Sequence, residues 1–579
     1  MGENNVEATE WPQRSWALAI AGAVLGLGVH SLGIYDGTAP VWRIALAAML
    51  VVAGVAMAFV VERGRIGPSA LFAIIAGIIT GFTVYWNGGP QDWGNWEGWR
   101  LACALLTVAI AAPLFQAWGD AGMARPPRLT QLAYPQVHDR AWTNVVLWIA
   151  CWMFTGIVWL LIYLIGQLFA LIGIDAIADL MRKEWFGLML TGGAFGAAAG
   201  VIRDRERILV TLQTVVRRVL SVLAPVLGVA LIVFLLAMVV TGLSPLWEAT
   251  KSTTPIVISA AIVAIILANA TIGDSPEDEA KVAPIRFAAM ALGAALLPLG
   301  VIAAVSTGLR IDQYGLTPDR LWAVVFTAIT CAYGLAYLVS LVRARMGWAT
   351  AVRQANLRLA LMLCGLAFVL STPLINFGSW STASQLARLE SGKVTPEKFD
   401  WTAMRFDFGP SGQAAVARLA KSGKTPAIKL AAVAALKLES RWEGNQEVTM
   451  AEKAIALKKR IKILPSDTVL PEALSAAIIR TDDCQSAKRC VLLYSTGSDE
   501  AIQLIQYCEN CAPITNRYLR SDDEWRTSNG SNKNNGTPNE QRLRNIAFGE
   551  SIGSGKISVR EVKRRQVFVG DEPVGDAFE

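Results

Sequence analysis

The chain divides into two parts by its pattern of apolar and polar positions. From Ser15 to Phe377 long apolar stretches recur between short polar breaks, and beyond Phe377 none reaches membrane-spanning length. Crossing about 30 Å of hydrocarbon takes roughly 20 helical residues, with every backbone polar group bonded inside the segment. About eleven stretches fit: Ser15–Ile34, Val41–Val61, Ser69–Trp86, Leu101–Trp118, Val145–Leu171, Phe186–Val201, Val219–Leu243, Pro255–Ala270, Phe287–Gly308, Leu321–Val342 and Leu359–Phe377. The sixth and eighth are short.

Past Phe377 the pattern changes to an amphipathic segment, Trp380–Arg405, and then to short helices at Ser411–Lys421, Pro426–Trp442 and Thr449–Lys459. Gly423 stands where one helix should stop, and Thr425 with Pro426 supplies the N-cap and first position of the next. Cys490–Tyr494, Lys556–Val562 and Gln566–Val569 are expected as short strands from their β-branched content. The stretch Thr527–Gln541 has almost no apolar content and is expected as a mobile loop. The predicted organisation is a cytoplasmic tail over 1–14, an α-helical polytopic membrane bundle over 15–377, and a small α+β soluble domain over 378–579 with the loop at 527–541.

Composition agrees. Hydrophobic residues make up 53% of the chain and charged residues only 17%, and the mean hydropathy of +0.41 lies outside the usual soluble range. A formal net charge of +7 spread over 579 residues gives no dense basic face, so nucleic acid is not an expected partner. Glu3, Glu7 and Glu10 precede Arg14, unlike the basic start of a secretory signal, so the first stretch is expected to be retained.

Basic residues set the expected orientation. The even-numbered breaks carry Arg63, Arg65, Arg125, Arg128, Arg140, Arg203, Arg205, Arg207, Arg217, Arg218, Lys281, Arg286, Arg343, Arg345, Arg353 and Arg358. With Arg14 that side holds about 17 basic residues against about 7 on the other, and cytoplasmic loops carry the excess. The N-terminus is therefore expected in the cytoplasm of a bacterial inner membrane, and an odd helix count places the C-terminal domain in the periplasm.

The cysteines divide along the same line. Cys103, Cys151, Cys331 and Cys364 lie in spans, where a thiol behaves as a small hydrophobe, while Cys484, Cys490, Cys508 and Cys511 lie in the soluble part. In an oxidising compartment the latter four are expected to form two disulfides, with three connectivities open. A zinc cage is the competing reading, but only Cys508 and Cys511 have the two-residue spacing. No metal or cofactor is expected.

Glycines four apart, Gly22 with Gly26, Gly77 with Gly81, and Gly192 with Gly196 and Gly200, allow close helix approach, expected within the bundle rather than between copies. Pro113, Pro225, Pro298 and Pro373 are expected to kink their helices.

Chemistry-bearing patterns are sparse. His30 and His138 are the only two histidines, and neither has a partner at metal-ligand spacing. No P-loop, nucleophile elbow, zinc-protease or dinucleotide motif is present, so an enzyme is not the expected class. The most distinctive loop runs from Arg310 to Arg320, with Thr317, Pro318 and Asp319 opening the tenth stretch. Structurally it is a tight turn with Gly315 at its bend and Arg310 paired to Asp312 or Asp319. Functionally, Arg310, Tyr314 and Arg320 can bind an anionic headgroup or phosphate. The second candidate is Trp93, Trp96 and Trp99, three residues apart before the fourth stretch; an aromatic belt at the membrane interface accounts for them, and sugar stacking is the alternative. A basic run, Arg560 with Lys563, Arg564 and Arg565, offers contact with anionic lipid or an envelope polymer.

The segments IDQYGLTPDRLWA and NFGSWSTASQLARLESGKVTPEKFDWTAMRFDFGPSGQAAVARLA resemble a bacterial membrane family known only as a domain of unknown function, serial four-one-five-three. The resemblance covers the spans and the start of the soluble part. It implies the architecture and brings no activity, substrate or catalytic residue. The leading expectation is a non-enzymatic envelope protein that contacts membrane lipid and, through its C-terminal domain, an envelope protein or polymer. A secondary transporter of a small or anionic molecule and a membrane-embedded transferase acting on a lipid-linked substrate are the alternatives.

Overall fold

An apolar run with no water to bond its backbone folds as a helix, since each N–H and C=O is then satisfied within the segment. The computed structural model describes residues 13–34, 39–90, 93, 95–122, 132–242, 253–441, 457, 460–466, 468–481, 484, 487–509, 511–521, 524–530, 538–554, 565–569 and 572–578. They form two compact units, one through Leu436 and one from Lys437.

The first unit is helical: α1 (Arg14–Ser31), α2 (Val41–Val60), α3 (Ile66–Asn87), α4 (Asn95–Asp120), α5 (Tyr134–Ala170), α6 (Ala176–Met181), α7 (Glu184–Arg203), α8 (Glu206–Thr241), α9 (Thr253–Ile272), α10 (Ala283–Tyr314), α11 (Pro318–Ala344) and α12 (Trp348–Ser371). Among the described residues, ten of these are long and apolar enough to cross a membrane, α2 through α12 without the short α6. The two short stretches of the sequence are full-length helices, because α7 and α9 each extend to 20 residues. Pro113, Pro225 and Pro298 lie inside helices that continue through them, while Pro373 falls beyond the end of α12.

Helix α1, at 18 residues, stands where the first span is expected and lies antiparallel along α7. The glycines explain the close approach. A methyl group on Gly22 would overlap the Gly192 carbonyl, one on Gly26 the Leu188 carbonyl, and one on Gly196 the Leu18 carbonyl. Gly77 and Gly81 do the same for α3 on α2, at Met49. These glycine stripes are thus used within the bundle, where small residues let backbones meet.

One core gathers Phe59, Leu147, Cys151, Phe195 and Ala198 from α2, α5 and α7. A second gathers Leu231, Ala264, Leu292, Leu296, Tyr337 and Trp348 from α8 to α12. Large apolar side chains such as Leu160, Leu164, Val226, Val233 and Val240 face outward. Such an exterior is costly in water and suited to lipid.

The chain does not leave this unit at Phe377. Helices α13 (Phe377–Glu390), α14 (Trp401–Phe406), α15 (Gly409–Ser422) and α16 (Pro426–Lys437) follow, and α13 to α16 share a core of Leu386, Met404, Phe408, Val416, Leu419 and Ile428. Phe377 also meets Trp322 at 5.1 Å between ring centroids. The compact boundary therefore falls after Leu436: the last long apolar run ends near Phe377, but the amphipathic helices after it pack onto the bundle.

The second unit contains β1 (Ile461–Leu464), α17 (Glu472–Thr481), β2 (Arg489–Leu493), β3 (Glu500–Gln506), β4 (Ile514–Ser521), β5 (Glu524–Gly530), α18 (Pro538–Ser554), β6 (Arg565–Val569) and β7 (Glu572–Phe578). Strands β1 to β5 form one sheet in that order, and β6 pairs with β7. Strand β1 is parallel to β2, with α17 between them in sequence, and the other neighbours are antiparallel. Leu474 and Ile478 of α17 are buried with Leu492, Ile505 and Tyr518 of the sheet.

The expected loop Thr527–Gln541 is partly corrected. Thr527–Gly530 pairs with β4, and Pro538–Gln541 opens α18. Backbone pairing needs no apolar side chains, so polar composition misled there. Residues 531–537 lie outside the described residues, as do 1–12, most of the helix expected at Thr449–Lys459, the strand expected at Lys556–Val562, and Arg125, Arg128, Arg560, Lys563 and Arg564.

Candidate functional site

Helix α10 ends at Tyr314 because Gly315 takes φ +75°, a left-handed conformation that favours glycine, and its N–H bonds Ile311 O at 2.7 Å. Two residues on, Thr317 Oγ1 accepts from Arg320 N at 3.4 Å and caps α11. The turn expected from the sequence is present.

Its electrostatics differ from the expected Arg310–carboxylate pair. The Arg310 guanidinium lies 5.8 Å from the centroid of the Tyr314 ring and that of Arg320 lies 5.3 Å from it. Cations so placed are attracted by the ring quadrupole. Tyr314 is 44% exposed, and Arg320 Nη1 donates to Gly315 O at 2.7 Å. Among the described residues no carboxylate forms an ion pair with Arg310 or Arg320; a turn this tight offers Arg310 an aromatic face before it offers Asp312.

The sequence does not point to the third arginine. Arg388 of α13 donates through Nη2 to Gln313 O at 2.7 Å and through Nη1 to Asp312 O at 3.4 Å. Gln385 Nε2 donates to Tyr314 O and Leu316 O, each at 2.9 Å, and Ser384 Oγ accepts from Leu316 N at 3.2 Å. Helix α13 thus satisfies the free carbonyls at the end of α10, where the helix dipole favours a cation. Arg388 Nε remains buried with no hydrogen-bond partner, and Arg388 also lacks a carboxylate partner among the described residues. Three guanidiniums converge on Tyr314–Gly315, and the charges of Arg310 and Arg388 both act on Arg320.

The tryptophans do not form one face. Trp93 turns back on its own loop, its Nε1 donating to Gly88 O at 3.1 Å. Trp99 packs on α11, 4.7 Å from Phe326 and 6.0 Å from Trp322. The Trp96 side chain lies outside the described residues. Trp99 therefore joins the aromatic group beneath the arginines, where Trp322 Nε1 is also buried without a partner.

The opposite end of the helices holds a second gathering of arginines, including Arg63, Arg65, Arg140 and Arg203, around a cavity of about 650 Å³. The sequence treats these residues only as markers of orientation. Their companions Glu62, Asp120 and Asp139, also lining it, were the available signal.

In the second unit the cysteines pair as Cys484–Cys490 and Cys508–Cys511, which leaves no thiolates for the zinc reading. Each disulfide lies beside a buried glutamine. Gln503 Nε2 is 2.9 Å from Cys484 Sγ, and Gln506 Nε2 donates to Cys511 O at 3.1 Å.

A family model described as "Domain of unknown function (DUF4153)" matches residues 17–419, which include the arginine turn, its α13 partners and most of the cavity wall. No curated protein and no solved structure matches.

Proposed function

The chain belongs to this DUF4153 family, and we propose that it is a non-enzymatic envelope protein of the bacterial inner membrane that holds an anionic lipid headgroup on Arg310, Tyr314, Arg320 and Arg388. The observation that carries this reading is the convergence of three arginines on one turn with no ion-paired carboxylate among the described residues. Arginine is weakly hydrated and presents a planar fork that matches phosphate oxygens. A neighbouring aromatic layer of Trp99, Trp322 and Phe326 suits the depth at which headgroups meet acyl chains.

In this reading the Tyr314 end faces the periplasm and the cavity end faces the cytoplasm, following the excess of arginine at the latter. The C-terminal unit is then periplasmic, consistent with its two disulfides, and serves as the contact for an envelope protein or polymer. A C-terminal alkaline phosphatase fusion is expected to be active, and an inactive one rejects this orientation. Continuous helices through Pro113, Pro225 and Pro298 favour an anchored binder over a transporter, which usually builds its site from broken helices. Headgroup binding is tested by the lipid retained on purified wild-type protein against Arg310→Ala with Arg320→Ala.

A further inference from the structure

The cavity at the opposite end is built by six helices. Glu62, Arg63 and Arg65 follow α2, Gln116 and Asp120 end α4, Asp139, Arg140, Thr143 and Asn144 lie early on α5, and Arg203 ends α7; Arg14 of α1 and Leu209 of α8 complete the wall. A volume of about 650 Å³ is the size of a small-molecule site, and such sites carry a few convergent polar groups.

Five arginines line it against three carboxylates, and the carboxylates are already engaged. Arg65 pairs with Glu62 and, at 2.9 Å, with Asp120. Arg140 grips the other Asp120 oxygen through Nε at 3.0 Å and Nη2 at 2.8 Å. Asp139 accepts from Gln213 Nε2 at 2.9 Å, and Arg14 lies 3.5 Å from Asp204 outside the lining. Two of the guanidiniums are left without a described ion pair.

They belong to Arg203 and Arg63. Arg203 Nη1 donates to Ala58 O at 2.8 Å, one of five N–H donors, and no carboxylate forms an ion pair with it among the described residues. Arg63 is exposed at the rim and likewise has no described carboxylate partner. The same wall carries neutral hydrogen-bonding groups in fixed positions. Gln116 Nε2 donates to Phe59 O at 2.8 Å, and its Oε1 accepts from Asn144 Nδ2 at 2.9 Å. A partly buried surplus of guanidinium charge in a polar cavity is stabilised by an anion.

We infer that this cavity binds a phosphate-bearing ligand, whose anionic phosphate group sits between Arg203 and Arg63. Two sources offer that chemistry, a soluble phosphate compound and a phospholipid headgroup from the adjoining leaflet. The site is separate from the Tyr314 turn and does not depend on it.

The test titrates inorganic phosphate into the full-length protein in neutral detergent and phosphatidylglycerol into nanodiscs of phosphatidylcholine, reading thermal stability. Saturable stabilisation by phosphate, weakened about tenfold or more by Arg63→Ala and by Arg203→Gln, establishes a soluble ligand. The same dependence with phosphatidylglycerol alone establishes the headgroup. Arg63 has no described partner to lose, so Arg63→Ala is expected to keep the unliganded melting temperature. No stabilisation by either probe, or stabilisation untouched by both variants or abolished by Arg310→Ala, overturns the inference.

Discussion

Arg388, on the first helix after the last span, donates to the carbonyl of Gln313 at 2.7 Å across 75 residues of sequence. That contact ties the amphipathic helices to the end of α10 and brings the third guanidinium to the Tyr314 turn. Arg388→Ala is expected to lower stability by about 1–3 kcal/mol, the scale for hydrogen bonds made by a charged group. Thermal unfolding in detergent checks it. Arg388→Lys, which keeps charge but not the fork, should recover only part of the loss.

Gly22 and Gly192 meet so closely that neither tolerates a side chain without moving a helix. Gly192→Leu is expected to cost about 1–3 kcal/mol or more through overpacking, and to separate α1 from α7. Gly98, with open space at its Cβ position, is the control: Gly98→Ala should leave the melting temperature nearly unchanged.

Between α9 and α10, Asp274 carries a carboxyl group whose pKa is raised, first by burial and then by its neighbour Asp278. The folded state therefore binds the proton more tightly than the unfolded chain. Its contribution to stability is fully present at low pH and is lost as pH rises from the ordinary carboxylate range through the raised value. Asp274→Asn is expected to flatten that part of the profile and raise the melting temperature near neutrality. An unchanged profile would remove Asp274 as its source.

The membrane architecture was legible because spanning helices must be apolar along their whole length, whatever they pack against. The arginine turn was half legible. Arg310, Tyr314 and Arg320 are neighbours in sequence, whereas Arg388 reaches the turn only through the fold. The cavity was hidden for the same reason, since Arg65, Asp120 and Arg140 come from separate parts of the chain.

In the C-terminal unit β2 is expected from its β-branched content, whereas β3 and β4 are not, because some of their inward positions are polar. Gln503, Asn516 and Tyr518 are buried on β3 and β4, with Tyr518 Oη donating to Gln503 Oε1 at 2.8 Å and Asn516 Nδ2 to the same oxygen at 3.3 Å. Buried polar groups need such partners, and no periodic apolar signal announces them. The presence of two disulfides followed from four cysteines in an expected oxidising compartment, while their pairing needed the positions of α17, β2 and β3.

Headgroup binding at the Tyr314 turn is tested most directly by native mass spectrometry of the full-length protein released from its own membrane, comparing wild type, Arg310→Ala plus Arg320→Ala, and the control Gly98→Ala. The wild type and the control are expected to retain an anionic phospholipid, with occupancy reduced about tenfold in the double variant. Equal occupancy in all three proteins would contradict headgroup binding at that turn.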